Sequence, residues 1–373
     1  MKRISCLLWI LATIYGCASI ADTTPNSELK NEKKVDWQRV SFEEAAFCSD
    51  SSAYYLFARR GTSDNLIIHF LGGGACWDYE TCANPLTPLK AMAMGMHHNL
   101  KNYYLPDVSK QTPRVLSGLF SDAKKNPFSD WNLVLIPYCT ADLQLGNTKN
   151  TYTNADGASV EVFHNGKNNV QQALAWVYAN FKQPKKLVVS GDSAGGFSTM
   201  IYTEPIHQHY QAPETFQVVD CAYMDDKNWA DLMQTWKAEV DFDYEGENIV
   251  TAILKHRLPE DVKCLYIGSK YDYVLSQFNA KLTSADYDST YVKDWAASLS
   301  HTISALEAAD IDYQYFLTDY KARKHQYDTP HTFLNWNPSY YKCQESGIYL
   351  YEWLAQNIID EKASSVGRDL LEK

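Results

Sequence analysis

Two glycine-rich segments constrain this chain more than any other feature, because each directly follows a short apolar run. LGGGACW occupies residues 71–77 and GDSAGG occupies residues 191–196. The second segment matches G-x-S-x-G, a pattern in which a serine occupies a sharp turn between a strand and a helix. Glycine has no Cβ, so the flanking glycines let such a turn close without a clash. Both segments therefore predict tight turns at the ends of buried strands.

Short apolar runs alternate with helical patterns through the rest of the chain. The predicted strands occupy residues 66–71, 133–137, 186–190, 216–219, 264–268 and 313–317. Repeated strand–helix–strand order favours a mostly parallel sheet with helices on both faces. Functional groups of such sheets gather at the carboxyl ends of the strands, where both glycine segments lie. The predicted fold class is α/β, with a mostly parallel central sheet flanked by helices.

The first residues have the pattern of an export signal. Lys2 and Arg3 precede an apolar stretch that is too short to span a bilayer. Cleavage before Cys17 would give a lipidated amino terminus, whereas cleavage after Ala21 would release the chain. We expect a signal peptide at 1–21, a polar tether at 22–40, a single domain at 41–360 with a cap-like insertion at 85–126, and a charged tail at 361–373.

The chain contains nine cysteines, of which Cys6 and Cys17 lie in the leader. An exported protein is expected to oxidise several of the others. Cys76 and Cys82 bracket a short loop and are the first candidate pair. Cys48 with Cys139 is a second, weaker candidate pair. It is weaker because disulfide connectivity cannot be deduced from sequence. The odd number that remains leaves at least one free thiol, for which Cys221 and Cys264 in apolar runs are the candidates.

The formal net charge of −11 limits the partners of this chain. An acidic globule has no general attraction for nucleic acid or for an anionic membrane surface. We predict no nucleic-acid partner, and membrane contact only through a lipid on Cys17. The spacing of cysteines and histidines matches no zinc motif, so we expect no metal and no cofactor. The expected oligomeric state is a monomer.

Ser193, in GDSAGG, is the candidate nucleophile. A serine hydroxyl needs a base within hydrogen-bond reach and an acid that orients the base. In this class of site the order along the chain is serine, acid, histidine, with the acid after a late strand. Asp272 follows the run at 264–268, and Asp220 ends the run one strand earlier. The position relative to the histidine favours Asp272.

Two histidines, His325 and His331, follow the last predicted strand. His331 lies in DTPHTFL, ahead of an apolar patch from which an imidazole could reach back over the sheet edge. His325 lies in the charged stretch KARKHQY, which is typical of a solvated loop. We therefore predict His331 as the base and interpret the earlier histidines as structural.

Backbone N–H groups are the expected ligands of an oxyanion at this site. Ala194 directly follows the nucleophile and supplies one donor. Gly72 and Gly73 are the expected further donors, with Gly74 as an alternative. Trp77 and Tyr79 follow the glycines and are candidate contacts for a substrate, although large aromatics more often fill a core.

At these residues the sequence resembles the pectin acetylesterase/Notum family of carboxylesterases, which belongs to the α/β-hydrolase superfamily. The matching pieces are CSD at 48–50, LGGGACWDYETC at 71–82, LIPYCTADLQLGN at 135–147 and GDSAGGFST at 191–199. The resemblance implies an α/β-hydrolase fold, a Ser193–Asp272–His331 triad, and oxyanion contacts from the first glycines and Ala194. It also favours a Cys76–Cys82 disulfide. Leu71 stands where plant members have an acidic residue, Ser51 where the family has a glycine, and most late cysteines of the plant members are missing.

The expected activity is that of a serine carboxylesterase, and three functions remain open. The first is removal of O-acetyl groups from a polysaccharide by an exported enzyme. The second is removal of a longer acyl group, with the Met-rich run at 91–96 lining an acyl pocket. The third, of a different class, is a non-catalytic surface binding module that retains the hydrolase fold, and a complete triad in the expected order weighs against it.

Overall fold

The computed structural model describes residues 20–25, 36–86, 102–225, 229–240, 248–322 and 327–372. Several sequence predictions fall outside these residues. They concern most of the signal peptide with Cys17, the Met-rich run at 91–96, and the alternative base His325.

The centre of the fold is a nine-stranded sheet with the order β1-β2-β3-β5-β4-β8-β9-β10-β11. The strands are β1 (Ala21–Thr23), β2 (Gln38–Ser41), β3 (Tyr55–Arg59), β4 (Leu66–Phe70), β5 (Asn132–Ile136), β6 (Thr148–Thr153), β7 (Ser159–His164), β8 (Lys186–Asp192), β9 (Glu214–Asp220), β10 (Val262–Ser269), β11 (Tyr313–Thr318), β12 (Gln344–Glu345) and β13 (Ile348–Tyr349). Only β3 runs antiparallel to its neighbours within this sheet. The predicted α/β class with a mostly parallel sheet is confirmed.

The strands at the centre of the sheet are buried on both faces. Every residue of β4 (LIIHF) and of β5 (NLVLI) is buried, and β8 and β9 are buried except for their first residues. Continuous apolar runs of this kind need cover on two sides, because no face is left for water. The chain therefore has to place helices on both faces of the sheet.

The helices that provide this cover follow the strands in sequence. They are α1 (Tyr79–Cys82), α2 (Thr112–Val115), α3 (Gly166–Asn180), α4 (Ala194–Tyr210), α5 (Trp229–Trp236), α6 (Ile249–Arg257), α7 (Tyr273–Thr283), α8 (Ser289–Glu307), α9 (Asn337–Lys342) and α10 (Leu350–Ile358). Helix α4 follows β8 directly and packs on β8, β9 and β4. It thereby fixes the turn that carries Ser193.

Two disulfides brace the loops at one end of the sheet. Cys48–Cys139 joins the segment before β3 to the loop after β5, and Cys76–Cys82 closes the turn that leads into α1. The thiols of Cys221, Cys264 and Cys343 are free and buried. Burial keeps these three thiols away from solvent.

Both ends of the predicted domain differ from the sequence-based expectation. Strand β1 begins at Ala21, the last residue of the predicted signal peptide, and otherwise β1 and most of β2 lie in the segment predicted as a tether. The two strands pair in parallel at the sheet edge. In the predicted tail, Val366 forms a bridge to Phe316 of β11, and Leu370 is 2% exposed. The carbonyl of Leu370 also accepts a hydrogen bond from Lys270 Nζ. A short polar segment can pair with an open sheet edge without the alternating apolar pattern that marks longer strands.

The packed tail gives a first testable prediction. Leu370→Ala should lower the free energy of unfolding by about 2–5 kcal/mol, because it removes a buried side chain and leaves a cavity. Glu372→Ala, at an exposed neighbouring position, should change it by less than about 0.5 kcal/mol. Urea unfolding of both variants measures the difference, and equal effects would contradict a stabilising role for the buried Leu370 side chain.

Candidate active site

Ser193 occupies the turn between β8 and α4 in a strained backbone conformation. Its φ is 54° and its ψ is −126°, a region that residues with a Cβ rarely adopt. The Ser193 N–H donates to the carbonyl of Asp220 at 2.8 Å, and the Ser193 carbonyl accepts from Gly196 N–H at 2.9 Å. Its side chain is partly exposed, unlike those on either side of it. The turn therefore presents the hydroxyl at the sheet edge, as G-x-S-x-G predicts.

Close backbone packing explains the glycine at position 195. A Cβ on Gly195 would overlap the carbonyl oxygen of Phe70, the last residue of β4. The start of α4 thus lies against the end of the neighbouring strand, from which the LGGGACW segment continues. This contact brings the two glycine-rich segments together.

Asp272 and His331 form a hydrogen-bonded pair at the same edge. Asp272 Oδ2 lies 2.7 Å from His331 Nδ1, and the side chains are 1% and 8% exposed. Asp272 also caps α7, since its Oδ1 accepts from the N–H groups of Val274 and Leu275 at 3.0 Å. The hydrogen bond from Nδ1 to Asp272 holds one tautomer of the imidazole. His331 Nε2 is buried and has no hydrogen-bond partner among the described residues.

The charges around His331 favour its protonated form. Burial alone would lower the pKa of the imidazole, but the charge of Asp272, the hydrogen bond to it, and the charges of Asp220 and Asp192 together raise that pKa above the usual value. A raised pKa makes the imidazole a stronger proton acceptor. The group is therefore suited to remove a proton from a neighbouring hydroxyl.

Asp220, the rival acid, has a different set of partners. Its Oδ2 accepts from the N–H groups of Phe333 and Leu334 at 2.7 and 2.8 Å. Its side chain is fully buried, and burial raises its pKa to about 7. Asp220 therefore holds the backbone of the loop that carries the histidine, whereas Asp272 contacts the imidazole itself.

The glycine turn after β4 lies directly beside the serine. A Cβ on Gly72 would come within 2.7 Å of Ser193 Cβ and 2.5 Å of the Asp192 carbonyl. The backbone N–H groups of Gly72, Gly73 and Gly74 have no acceptor among the described residues. Gly73 is held in place instead by its carbonyl, which accepts from Leu105 N–H at 2.9 Å.

Ala194 begins α4, so its N–H has no acceptor within the helix. Free N–H groups next to a serine are what an oxyanion requires. Both Gly74 and Ala194 line a cavity with Ser193. Of the three glycines, Gly74 is the one that lines this cavity.

A buried polar network supports the turn from below, and the sequence analysis missed it. His69 Nε2 lies 2.9 Å from Asp192 Oδ1, and His69 Nδ1 lies 2.9 Å from Ser190 Oγ. His69 is fully buried within β4. The only sequence signals were a histidine inside an apolar strand and the aspartate before Ser193. Neither identifies the other as a partner.

An apolar cavity of about 40 Å³ begins at Ser193 and is partly open to solvent. Its lining side chains come from α4, α5 and α7 and from the loop after the glycine turn, and they include Trp77, Phe197, Trp229, Leu232, Trp236, Leu275, Phe278 and Leu282. The described lining contains no charged side chain. Trp77 contributes to this wall, whereas Tyr79 is not among the lining residues.

A free thiol lies next to the acid–base pair. Ligand atoms of Cys221, Asp272 and His331 lie within 4.8 Å of one another, a spacing that a metal ion can also use. Asp272 and His331 already satisfy each other by a hydrogen bond. Burial raises the pKa of the Cys221 thiol well above its usual value, which disfavours the thiolate that a metal requires. We interpret the cluster as an acid–base pair packed on a neutral thiol.

These features define a hydrolase-type α/β sheet with a serine turn, a His–Asp pair and free N–H donors at one edge. The family model of the pectinacetylesterases matches residues 29–350. The chain therefore belongs to the pectinacetylesterase family, which confirms the resemblance seen in the sequence.

Individual relatives are more distant. The chain is 25% identical to pectin acetylesterase 4 of Arabidopsis thaliana over 232 residues, which are 57% of this chain and 51% of the relative. It is 29% identical to palmitoleoyl-protein carboxylesterase notum2 of Xenopus laevis over 159 residues, 41% of this chain and 29% of the relative. The chain thus matches about half or less of the length of these relatives.

The raised pKa of His331 predicts the pH dependence of any reaction that uses its neutral form. The rate of ester hydrolysis should fall as the pH is lowered, because His331 is protonated below its pKa. The midpoint of this fall should lie above about 6.5, the ordinary pKa of a histidine. A kcat/KM profile against pH measures this. Asp272→Asn should lower kcat by about 10⁴-fold and move the decline to lower pH. A wild-type decline centred at or below 6.5 would contradict the assignment.

Proposed function

We propose that this protein is a serine carboxylesterase that uses Ser193, His331 and Asp272. The observation that carries the proposal is the Asp272–His331 hydrogen bond of 2.7 Å at the sheet edge where the strained turn presents Ser193. Membership of the pectinacetylesterase family supports it. The order of the residues along the chain is also that of α/β-hydrolases.

The mechanism follows from the positions of these groups. His331 Nε2 removes the proton from Ser193 as the hydroxyl oxygen attacks the ester carbonyl, and Asp272 stabilises the imidazolium that forms. The N–H groups of Gly72, Gly73 and Ala194 stabilise the negative oxygen of the tetrahedral intermediate. His331 then protonates the leaving alcohol, and water releases the acyl group from the serine by the reverse sequence of proton transfers.

For the substrate we propose an O-acetylated polysaccharide and an exported enzyme. The printed names of two relatives, pectin acetylesterases 4 and 5 of Arabidopsis thaliana, favour the first part. The two disulfides favour an oxidising compartment. None of the helices in the described part of the chain is long and apolar enough to cross a bilayer. Lipidation of Cys17 and free secretion both fit these observations.

Hydrolysis of p-nitrophenyl esters from acetate to palmitate tests the esterase proposal. The wild type should turn over at least the acetate, and Ser193→Ala should lose about 10⁴-fold or more of kcat because no nucleophile remains. Preference for acetate would support a deacetylase and lead to assays on acetylated polysaccharides. Activity that survives in Ser193→Ala would overturn the assignment, and absence of any turnover would favour a binding module.

The apolar cavity favours a second candidate, an esterase that removes longer acyl groups. The apolar lining of the cavity extends from Ser193 to Leu282, between α5 and α7, so an acyl chain longer than acetyl would contact apolar side chains along it. Each further buried CH₂ would stabilise the bound acyl group by about 0.8 kcal/mol. The similarity to a palmitoleoyl-protein carboxylesterase is consistent with this candidate.

A variant that fills the cavity separates the two candidates. Leu282 is half-buried in the cavity wall, so Leu282→Trp adds volume there without forcing a buried contact. If long acyl chains bind in the cavity, KM for octanoate or longer esters should rise about tenfold or more while acetate hydrolysis stays unchanged. Leu371→Trp, at a half-buried leucine outside the cavity, is the matched control. A deacetylase would show the same small effect on every ester.

A further inference from the structure

Asp220 contacts both parts of the candidate machinery at once. It is the last residue of β9, and its main-chain carbonyl accepts the Ser193 N–H at 2.8 Å. Its side chain accepts the N–H groups of Phe333 and Leu334 at 2.7 and 2.8 Å. These two residues follow His331 almost directly. One residue therefore joins the nucleophile turn to the loop that carries the base.

The loop around His331 is held at its two ends by a hydrogen bond from Ser269 Oγ to the Pro330 carbonyl and by one from Leu119 N–H to the Leu334 carbonyl. Between these ends, the bonds to Asp220 fix the backbone nearest to the histidine on its carboxyl-terminal side. The imidazole is fixed at Nδ1 by Asp272. Thr332 has a φ of 63°, so the chain turns sharply right after the histidine. The two N–H bonds to Asp220 follow this turn and determine where the loop passes the end of β9. Without them, rotation of the loop would move Nε2 relative to Ser193.

A neutral amide could accept the same two hydrogen bonds, so the carboxylate needs a separate explanation. Asp220 Oδ1 is buried and accepts no N–H or O–H group among the described residues, and the neutral thiol of Cys221 lies beside this carboxylate. Burial of a partly satisfied carboxylate is unfavourable, and it raises the pKa of Asp220 to about 7. The charge of Asp220 also raises the pKa of His331. Above a pH of about 7 Asp220 is an anion and stabilises the imidazolium in addition to Asp272, and below that pH its protonation removes this contribution.

We propose that Asp220 is a positioning residue for the base: it sets the place of His331 relative to Ser193 through the loop, and its charge supports the imidazolium. This inference rests on the proposed esterase function. Asp220 itself transfers no proton to the substrate, since His331 and Ser193 are the reacting groups. The charged and titratable groups that face it are Asp192, His331, Cys221 and Cys343.

Two substitutions separate the two contributions. Asp220→Ala removes the acceptor, so kcat should fall about 10- to 100-fold, with KM changed less than about twofold. Asp220→Asn keeps an acceptor for both N–H groups but removes the charge. It should retain most of kcat at its optimum, while the acid decline of kcat/KM moves to lower pH, because the pKa of His331 falls.

Asp288→Ala is the matched control. Asp288 also accepts two successive backbone N–H groups, from Thr290 and Tyr291, but at the exposed start of α8. Its loss should lower the thermal midpoint without changing kcat or the pH profile. A merely structural role for Asp220 would give the same pattern as Asp288→Ala. That result, or an Asp220→Asn profile identical to the wild type, would overturn the proposal.

A measurement without substrate keeps this proposal distinct from the proposed function. The His331 Nδ1 proton in the bond to Asp272 should give a far-downfield NMR signal, assigned by its loss in His331→Gln. The signal should persist in Asp220→Asn and weaken or vanish in Asp220→Ala if the loop positions the ring. If the wild type hydrolyses no ester but the signal responds in this way, the esterase proposal fails and the positioning stands. An unchanged signal in Asp220→Ala overturns the positioning, whatever the activity.

Discussion

The site depends on the register of three parallel strands. Asp192 at the end of β8 pairs with Asp220 at the end of β9, and Asp220 pairs with Ile267 of β10. Because these strand ends are level, the turns that follow them meet at one edge of the sheet. Ser193 follows the first strand and Asp272 follows the third. A slip of β9 by one residue would turn Asp220 to the other face and separate the serine turn from the histidine loop.

Three buried carboxylates lie along this edge, and their surroundings give them different properties. Asp272 accepts two helix N–H groups and the imidazole N–H, so its charge is well compensated. Asp192 has His69 as its partner. Asp220 has two N–H donors on one oxygen and no N–H or O–H donor among the described residues on the other, and burial raises its pKa to about 7. The donors around a carboxylate, rather than its residue type, decide which one orients a base.

Most of the central fold could be predicted from the sequence because it rests on local apolar runs. The runs that become β4, β5, β8, β9, β10 and β11 are mostly apolar and rich in β-branched or aromatic residues, and the sequence predicts each to within a few residues of its observed bounds. The short edge strands β1 and β2 and the hairpin of β6 and β7 lack such runs. The hairpin alternates half-buried and exposed polar residues, as in TKNTYT. Its stability comes from pairing and from loop contacts that no local pattern reveals.

The candidate site shows the same division between local and long-range information. The serine turn, the glycine turn and the order of Asp272 and His331 are marked by motif and spacing. The role of Asp220 depends on hydrogen bonds to residues 113 and 114 positions away, and the partner of Asp192 lies 123 positions away. The walls of the cavity likewise come from α4, α5 and α7, which are far apart in the chain. Local motifs therefore indicate the type of site, whereas the shape of the cavity beside it depends on tertiary packing. A sequence resemblance consequently predicts the type of site better than it predicts the acyl group that the cavity would accept.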